Sequence, residues 1–228
     1  MHIGLIGGIG PAATEYYYRG LVRAHAEADR VLELTIVHAQ IRDLVRTATD
    51  GDPDAQAIVF AELVGRLQAA GADIAAVSSL SGHFCVDELT ALSPLPLINL
   101  IDALDAEVAR RRLGRVGLLG TRFVMETGVY GGLTSAETVA PLGSDLDATH
   151  EAYIGMAMAG RATDDQRALL FDVGKKLVRD QGADAVVLTG TDLFLAFDGR
   201  DCGFPVIDSA DVHIEALFQA SIASTTYQ

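Results

Sequence analysis

The sequence predicts an α/β protein built from two pseudo-symmetric parallel-sheet domains with a candidate active-site cleft between them. Two observations carry this expectation. Short, continuously apolar runs alternate with longer segments of helical period, the pattern of a parallel sheet covered on both faces. Three of these runs, each with its flanking turn, recur in the same order further along the chain. HIGLIGGIG at 2–10 returns as RVGLLGTRF at 115–123, GADIAAVSSLS at 71–81 as GADAVVLTGTD at 182–192, and LPLIN at 95–99 as FPVID at 204–208.

Taken in chain order, IGLIG (3–7) is a first strand, and Pro11 fits the first position of the helix after it. ELTIVHA (33–39) is a second strand. Apolar residues at helical spacing from Ala57 to Ala70 form a helix leading to a third strand, DIAAVSS (73–79). LPLINL (95–100) is a fourth, RVGLLG (115–120) a fifth, ADAVVLT (183–189) a sixth and FPVID (204–208) a seventh. A helix spans Gln166 to Asp180, and APLGSDLDATH, around 140–150, is a longer loop. The repeat sets the domains at 1–100 plus 205–228, and 101–204.

The chain has 228 residues, 50% of them hydrophobic and 21% charged, a globular composition with enough length to bury a core. Its 17 Lys and Arg against 31 Asp and Glu give a formal net charge of −14. That charge repels phosphate backbones and anionic lipid, so neither nucleic acid nor membrane is expected as a partner. No apolar run reaches transmembrane length. MHIGLIGGIGP carries no basic segment before its apolar run, so no secretory signal is expected. The two cysteines, Cys85 and Cys202, are far apart in sequence, so a reduced, cytoplasmic protein without a disulfide is expected.

The candidate site follows from the repeat. The offset between the second pair of segments makes Ser79 and Gly190 equivalent, each just past the C-terminal end of a strand. Open parallel sheets bind ligands there. The turns Ser78-Ser79-Leu80-Ser81-Gly82-His83 and Thr189-Gly190-Thr191-Asp192 are rich in hydroxyls and small residues. They can present N–H and O–H donors to a ligand, or can simply cap the next helix. Gly7-Gly8-Ile9-Gly10-Pro11 is a third candidate. Its glycines allow a close backbone approach, and the helix start favours a carboxylate. The alternatives there are an unliganded βα turn, or a dinucleotide fingerprint read as Gly8-x-Gly10-x-x-Ala13. The second strand ends in Val37-His38-Ala39-Gln40 and lacks the acidic residue that fingerprint needs.

His83 is the histidine nearest a cleft turn, and its ordinary pKa suits proton transfer. The alternative is a histidine held by local hydrogen bonds. No metal site is expected, because His38 and His213 show no ligand spacing. Cys85 shares a helical face with Leu89 and Leu92 and is expected in the core, and Cys202 is expected to be an ordinary loop thiol. Tyr17 is expected in the core, with Tyr16 or Tyr18 free to cover a partner surface.

GLIGGIGPAAT (4–14), GRVGLLGTRFVMETGVY (114–130), GADAVVLTGTDL (182–193) and PVIDSADVHIEAL (205–217) together resemble the aspartate/glutamate racemase family over nearly the whole chain. The resemblance implies cofactor-independent chemistry at a carbon bearing a carboxylate, with the site between two domains, and a homodimer. The family's mechanism uses two cysteines on opposite walls, since inversion needs base and acid on opposite sides. Its motifs place those thiols on Ser79 and Gly190, so both are absent here. Leu80, Ser81 and His83 fill the rest of the first motif, and Thr191 and Asp192 the rest of the second. Val124 replaces a carboxylate-binding threonine, and Gln40 matches a substrate-binding segment.

The resulting expectation is a racemase or isomerase-like enzyme acting on an amino acid or related small carboxylate by proton transfer at the α-carbon. Ser79, His83 and Asp192 are the catalytic candidates. Gly8, Ile9, Gly10, Gln40, Ser81, Thr121, Thr189, Gly190 and Thr191 are the substrate-binding candidates. Two alternatives stay open. One is a one-sided lyase or decarboxylase in the same cleft, with Gly190 making room for a larger substituent. The other is a non-catalytic binding protein. A dinucleotide-dependent oxidoreductase is more remote.

Overall fold

The computed structural model describes Met1–Ala223. The chain divides into two units. The first comprises Met1–Leu100 with the chain from His213 onward, and the second comprises Ile101–Val212. Residues 224–228, which the sequence assigns to the first domain, lie outside the described residues.

In the first unit, β1 (Ile3–Gly7), β2 (Leu34–His38) and β3 (Ile74–Val77) form a parallel sheet of order β2-β1-β3. Every residue of β1 and β3 is buried, as strands covered on both faces must be. Helix α1 (Pro11–Glu27) starts from Gly10 in the left-handed region with Pro11 in its first turn. Helices α2 (Ile41–Asp50) and α3 (Pro53–Ala69) follow β2. Asp52 caps α3 by accepting from the Ala55 N–H. Past β3 the chain makes a 3-10 helix, Leu80–Cys85, then α4 (Val86–Leu92). A core of Ile6, Phe60, Val64, Leu67, Val77, Cys85 and Leu89, among others, fills the space under this sheet.

Helix α5 (Leu100–Arg111) leads into the second unit. Here β4 (Arg115–Leu119), β5 (Glu137–Val139), β6 (Ala185–Leu188) and β7 (Val206–Asp208) form a parallel sheet of order β5-β4-β6-β7. Helices α6 (Arg122–Glu126), α7 (Ser144–Ala159), α8 (Asp164–Gln181) and α9 (Phe194–Phe197) lie between the strands. Thr163 and Gln166 close a capping box at the start of α8, and Gly182 ends that helix in the left-handed region. Helix α10 (Ser209–Ala223) begins in the second unit and returns the chain to the first.

The units repeat one another in detail. Ser78 Oγ donates to the Ile6 carbonyl at 3.0 Å, and Thr189 Oγ1 donates to the Leu119 carbonyl at 2.9 Å. Gly4 leaves room for Leu67, as Gly117 does for Leu177. The Ala75 N–H donates to Pro96 at 2.9 Å, and the Val186 N–H to Pro205 at 2.9 Å. The sequence repeat is thus a repeat of strand, turn and hydrogen bond.

The structure departs from the sequence reading at three places. LPLINL forms no strand; it contributes one bridge, Ala75 to Leu97, because Pro94 and Pro96 bring no N–H to a ladder. Residues 205–212 join the second unit, since β7 pairs with β6. The loop around 140–150 is helical from Ser144, with Asp145 and Asp147 in a first turn that favours negative charge. Beyond these, β5 is a short edge strand absent from the sequence reading. Leu92 is 51% exposed although Cys85 and Leu89 are buried, because α4 ends there.

Candidate functional site

Three strand ends of the first unit carry its candidate residues. After β1, Gly8 and Gly10 both have left-handed φ, of 90° and 85°. A β-carbon on Gly8 would meet His38 Nδ1 at 2.5 Å and the Ala39 carbonyl at 2.6 Å, so only glycine fits. The Gly8 N–H donates to Thr14 Oγ1 at 2.9 Å. Gly8, Ile9 and Gly10 are buried, whereas Gln40, after β2, is exposed and its side chain does not cap α2.

After β3, Ser79 is 5% exposed and holds extended backbone before the 3-10 helix. Its side chain makes no cap, while its carbonyl accepts from the Gly82 N–H at 3.1 Å. The same carbonyl accepts from His83 Nδ1 at 2.8 Å. A carbonyl can only accept, which fixes the proton on Nδ1. His83 Nε2 then accepts from the Leu100 N–H at 3.3 Å. Burial lowers the His83 pKa from 6.5 to about 4, against the opposing Ser79 bond. The imidazole is therefore neutral, with both nitrogens committed to backbone. That matches the local-hydrogen-bond alternative, and the ring positions the turn that carries Ser79 and the half-buried Ser81.

Beside it lies a pair that the sequence reading did not connect. The Tyr17 hydroxyl donates to His213 Nδ1 at 2.9 Å, while His213 Nε2 donates to the Ile98 carbonyl at 2.8 Å. His83 and His213 face each other edge to face at 6.1 Å. Burial first, then the neighbouring His83, lowers the His213 pKa to about 3. Tyr17 is buried as expected, and Tyr18 is 51% exposed.

In the second unit, Thr121 caps α6 by accepting from the Val124 N–H at 3.4 Å. The Thr189 hydroxyl is committed to β4, as described above. Thr191 and Asp192 are both buried. Asp192 Oδ2 accepts from the Tyr153 hydroxyl at 3.5 Å. Gly190 is no empty space for a substituent, because the Tyr153 ring packs on its α-carbon. Asp208, at the end of β7, accepts from the Ala210 N–H at 2.8 Å. Burial, then Asp211 and Asp198, raises its pKa to about 7. Tyr153 and Asp208 carried no signal in the sequence. The first falls on a helix half-read as loop, and the second depends on burial.

Both thiols are buried, and that of Cys85 donates to the Gly82 carbonyl of the first turn at 3.5 Å. Cys85 is fully buried, and burial followed by the Glu88 charge pushes its pKa up to about 12. Cys202 is buried with its thiol against the Phe204 carbonyl. Among the described residues no group of three or more His, Cys, Asp or Glu is placed to hold a metal ion. Among them, too, no helix is long and apolar enough to cross a membrane.

Polar turns past the carboxyl ends of parallel strands stand where open α/β sheets bind small molecules. The family model for Asp/Glu/Hydantoin racemase matches residues 6–217, and the chain belongs to that family. A Yersinia pestis protein provisionally described as an Asp/Glu racemase is 26% identical, with a TM-score of 0.85 over 97% of this chain and 100% of that one. The fold is shared with an aspartate racemase homologue from Pyrococcus horikoshii, at 23% identity and TM-score 0.82, covering 96% of this chain and 98% of that one. It is shared as well with the Picrophilus torridus aspartate racemase, at 19% identity and TM-score 0.76, covering 97% and 94%.

Proposed function

We propose that the chain is a cofactor-independent racemase or isomerase that moves a proton at the α-carbon of an amino acid or related small carboxylate. The observation that supports this best is the duplicated strand-end turn. One copy carries a buried serine uncommitted to capping its helix, and the other a buried carboxylate beside a phenol. In this reading Ser79 and Asp192 are the acid/base groups of the two turns. His83 is a positioning residue, because its lone pair faces a backbone N–H. The start of α1 behind Gly8, Ile9 and Gly10 receives the substrate carboxylate, with Gln40, Ser81, Thr121, Thr189, Gly190 and Thr191 shaping the remainder. A homodimer and a cytoplasmic location complete the proposal; sedimentation velocity checks the first.

One observation favours a second reading. A serine hydroxyl is a weak base without a partner to take its proton, and His83 is not free to be that partner. A one-sided lyase or decarboxylase, needing only proton delivery, would use the second turn alone. Incubation in D2O with the D and L forms of aspartate and glutamate, then the other amino acids and small malonates, separates the two. Deuterium at the α-carbon with loss of optical activity supports the racemase. Release of CO2 with deuterium in the product supports the lyase. Saturable binding with neither overturns both.

A further inference from the structure

Gly190 carries no side chain, yet its place is filled. A β-carbon built there would lie 2.3 Å from Cε2 and 2.6 Å from Cζ of Tyr153, so the ring is seated on the bare glycine. Tyr153 comes from α7 of the same unit and is 6% exposed. Its hydroxyl donates to Asp192, two residues past the glycine. One turn back on the same face of α7, the Thr149 hydroxyl is wholly buried with no hydrogen-bond partner among the described residues. The repeat equates Gly190 with Ser79, and the phenol ring lies on the one position where the second turn has no side chain to match the Ser79 hydroxyl.

We infer that Tyr153 is the proton donor of the second turn: its O–H rests on Asp192 at 3.5 Å and leaves that long bond to give the proton to the substrate carbon, with Asp192 keeping the phenol oriented. This rests on the proton-transfer reading above, in either of its forms. In the step, the phenolic O–H bond breaks as the carbanion's electron pair forms the new C–H bond. The phenolate then takes a proton from water before the next turnover. On this inference Asp192, the acid/base candidate of the turn, passes that role to the phenol it touches and acts through Tyr153 as a positioning residue. Burial, then the Asp192 charge, raises the phenol well above its ordinary value of 10, so the donating form persists through the neutral range. The burial and the ring seated on Gly190 set the geometry; the protonation state follows from it.

The test is deuterium delivery in D2O by the wild-type chain, Tyr153→Phe and Asp192→Asn, on whichever panel compound the wild type turns over. Y153F keeps the ring on Gly190 and removes only the oxygen. It should slow delivery by about 100-fold or more, the usual share of a general acid. Calorimetric affinity for the same compound should stay within about threefold, and the thermal midpoint should stay near that of the wild type. D192N should slow delivery less than Y153F does and move the alkaline fall of the rate toward lower pH, since the charge that raises the phenol is gone. Delivery lost in D192N and kept in Y153F would return the donor role to Asp192 and overturn the inference. Delivery by Y153F at the wild-type rate would overturn the inference and leave the proton-transfer reading standing. Equal loss of affinity and rate in Y153F would reduce Tyr153 to a packing or binding residue and overturn it likewise. A wild-type chain that transfers no deuterium to any panel compound overturns the proton-transfer reading and this inference with it.

Discussion

His83 and His213 are neutral inside the fold, with pKa values lowered to about 4 and about 3, while the unfolded chain protonates each near 6.5. Between those limits the unfolded state binds more protons. The stability they contribute is therefore fully present above 6.5 and is lost as the solution is acidified through that window. Asp208, raised to about 7, runs the other way: its contribution is present below 3.8 and lost as pH rises. Two histidines outweigh one part-buried carboxylate, so urea midpoints should fall by an amount worth about 1 kcal/mol between neutral buffer and about pH 5. Midpoints independent of pH would show that the histidines are not buried neutral. At Gly190 the expectation is steric. Gly190→Ala drives a methyl into the Tyr153 ring and should cost about 2 kcal/mol. The same change made in a Tyr153→Ala background should cost almost nothing, a coupling that a double-mutant cycle reads directly.

The matched hydroxyls of Ser78 and Thr189 make a sharper test of duplication than sequence similarity does. Each tethers its turn to the neighbouring strand, Ser78 to Ile6 and Thr189 to Leu119. Ser78→Ala and Thr189→Val should each lose about 1 kcal/mol, the net worth of one such bond. A tether that proves silent in one unit and costly in the other would break the equivalence. Legibility at this scale followed chemistry. Strands of buried β-branched residues, such as β3 and β6, were plain in the sequence because both faces are covered. LPLINL looked like a strand because apolar content was read without allowing for Pro94 and Pro96. Helix α7 was hidden by Gly143 and its acidic first turn, which resemble a loop until a helix start is recognised. The turn at Ser79 was placed by the repeat alone. The state of His83 was not legible, since it depends on the Ser79 carbonyl and the Leu100 N–H converging on one ring.

For the whole molecule, the second unit is one uninterrupted stretch, Ile101–Val212, with its own four-stranded sheet and core. A fragment of that span should unfold cooperatively by itself, within the size range of independent domains. The first unit is discontinuous. Its Tyr17 and Ile98 meet His213, and its His25 meets Ser221, all late in the chain. Residues 1–100 alone should be open to protease at a concentration where the 101–212 fragment resists. Equal resistance of both fragments would refute the asymmetry.

That discontinuity has a consequence for biosynthesis. The ribosome releases the second unit's entire stretch before it releases His213, although the first unit begins at the N-terminus. Translation should therefore complete the later-encoded half first and leave the earlier-encoded half waiting on the last helix to emerge. Nascent chains stalled shortly after residue 212 clears the exit tunnel should show one protected half and one vulnerable half.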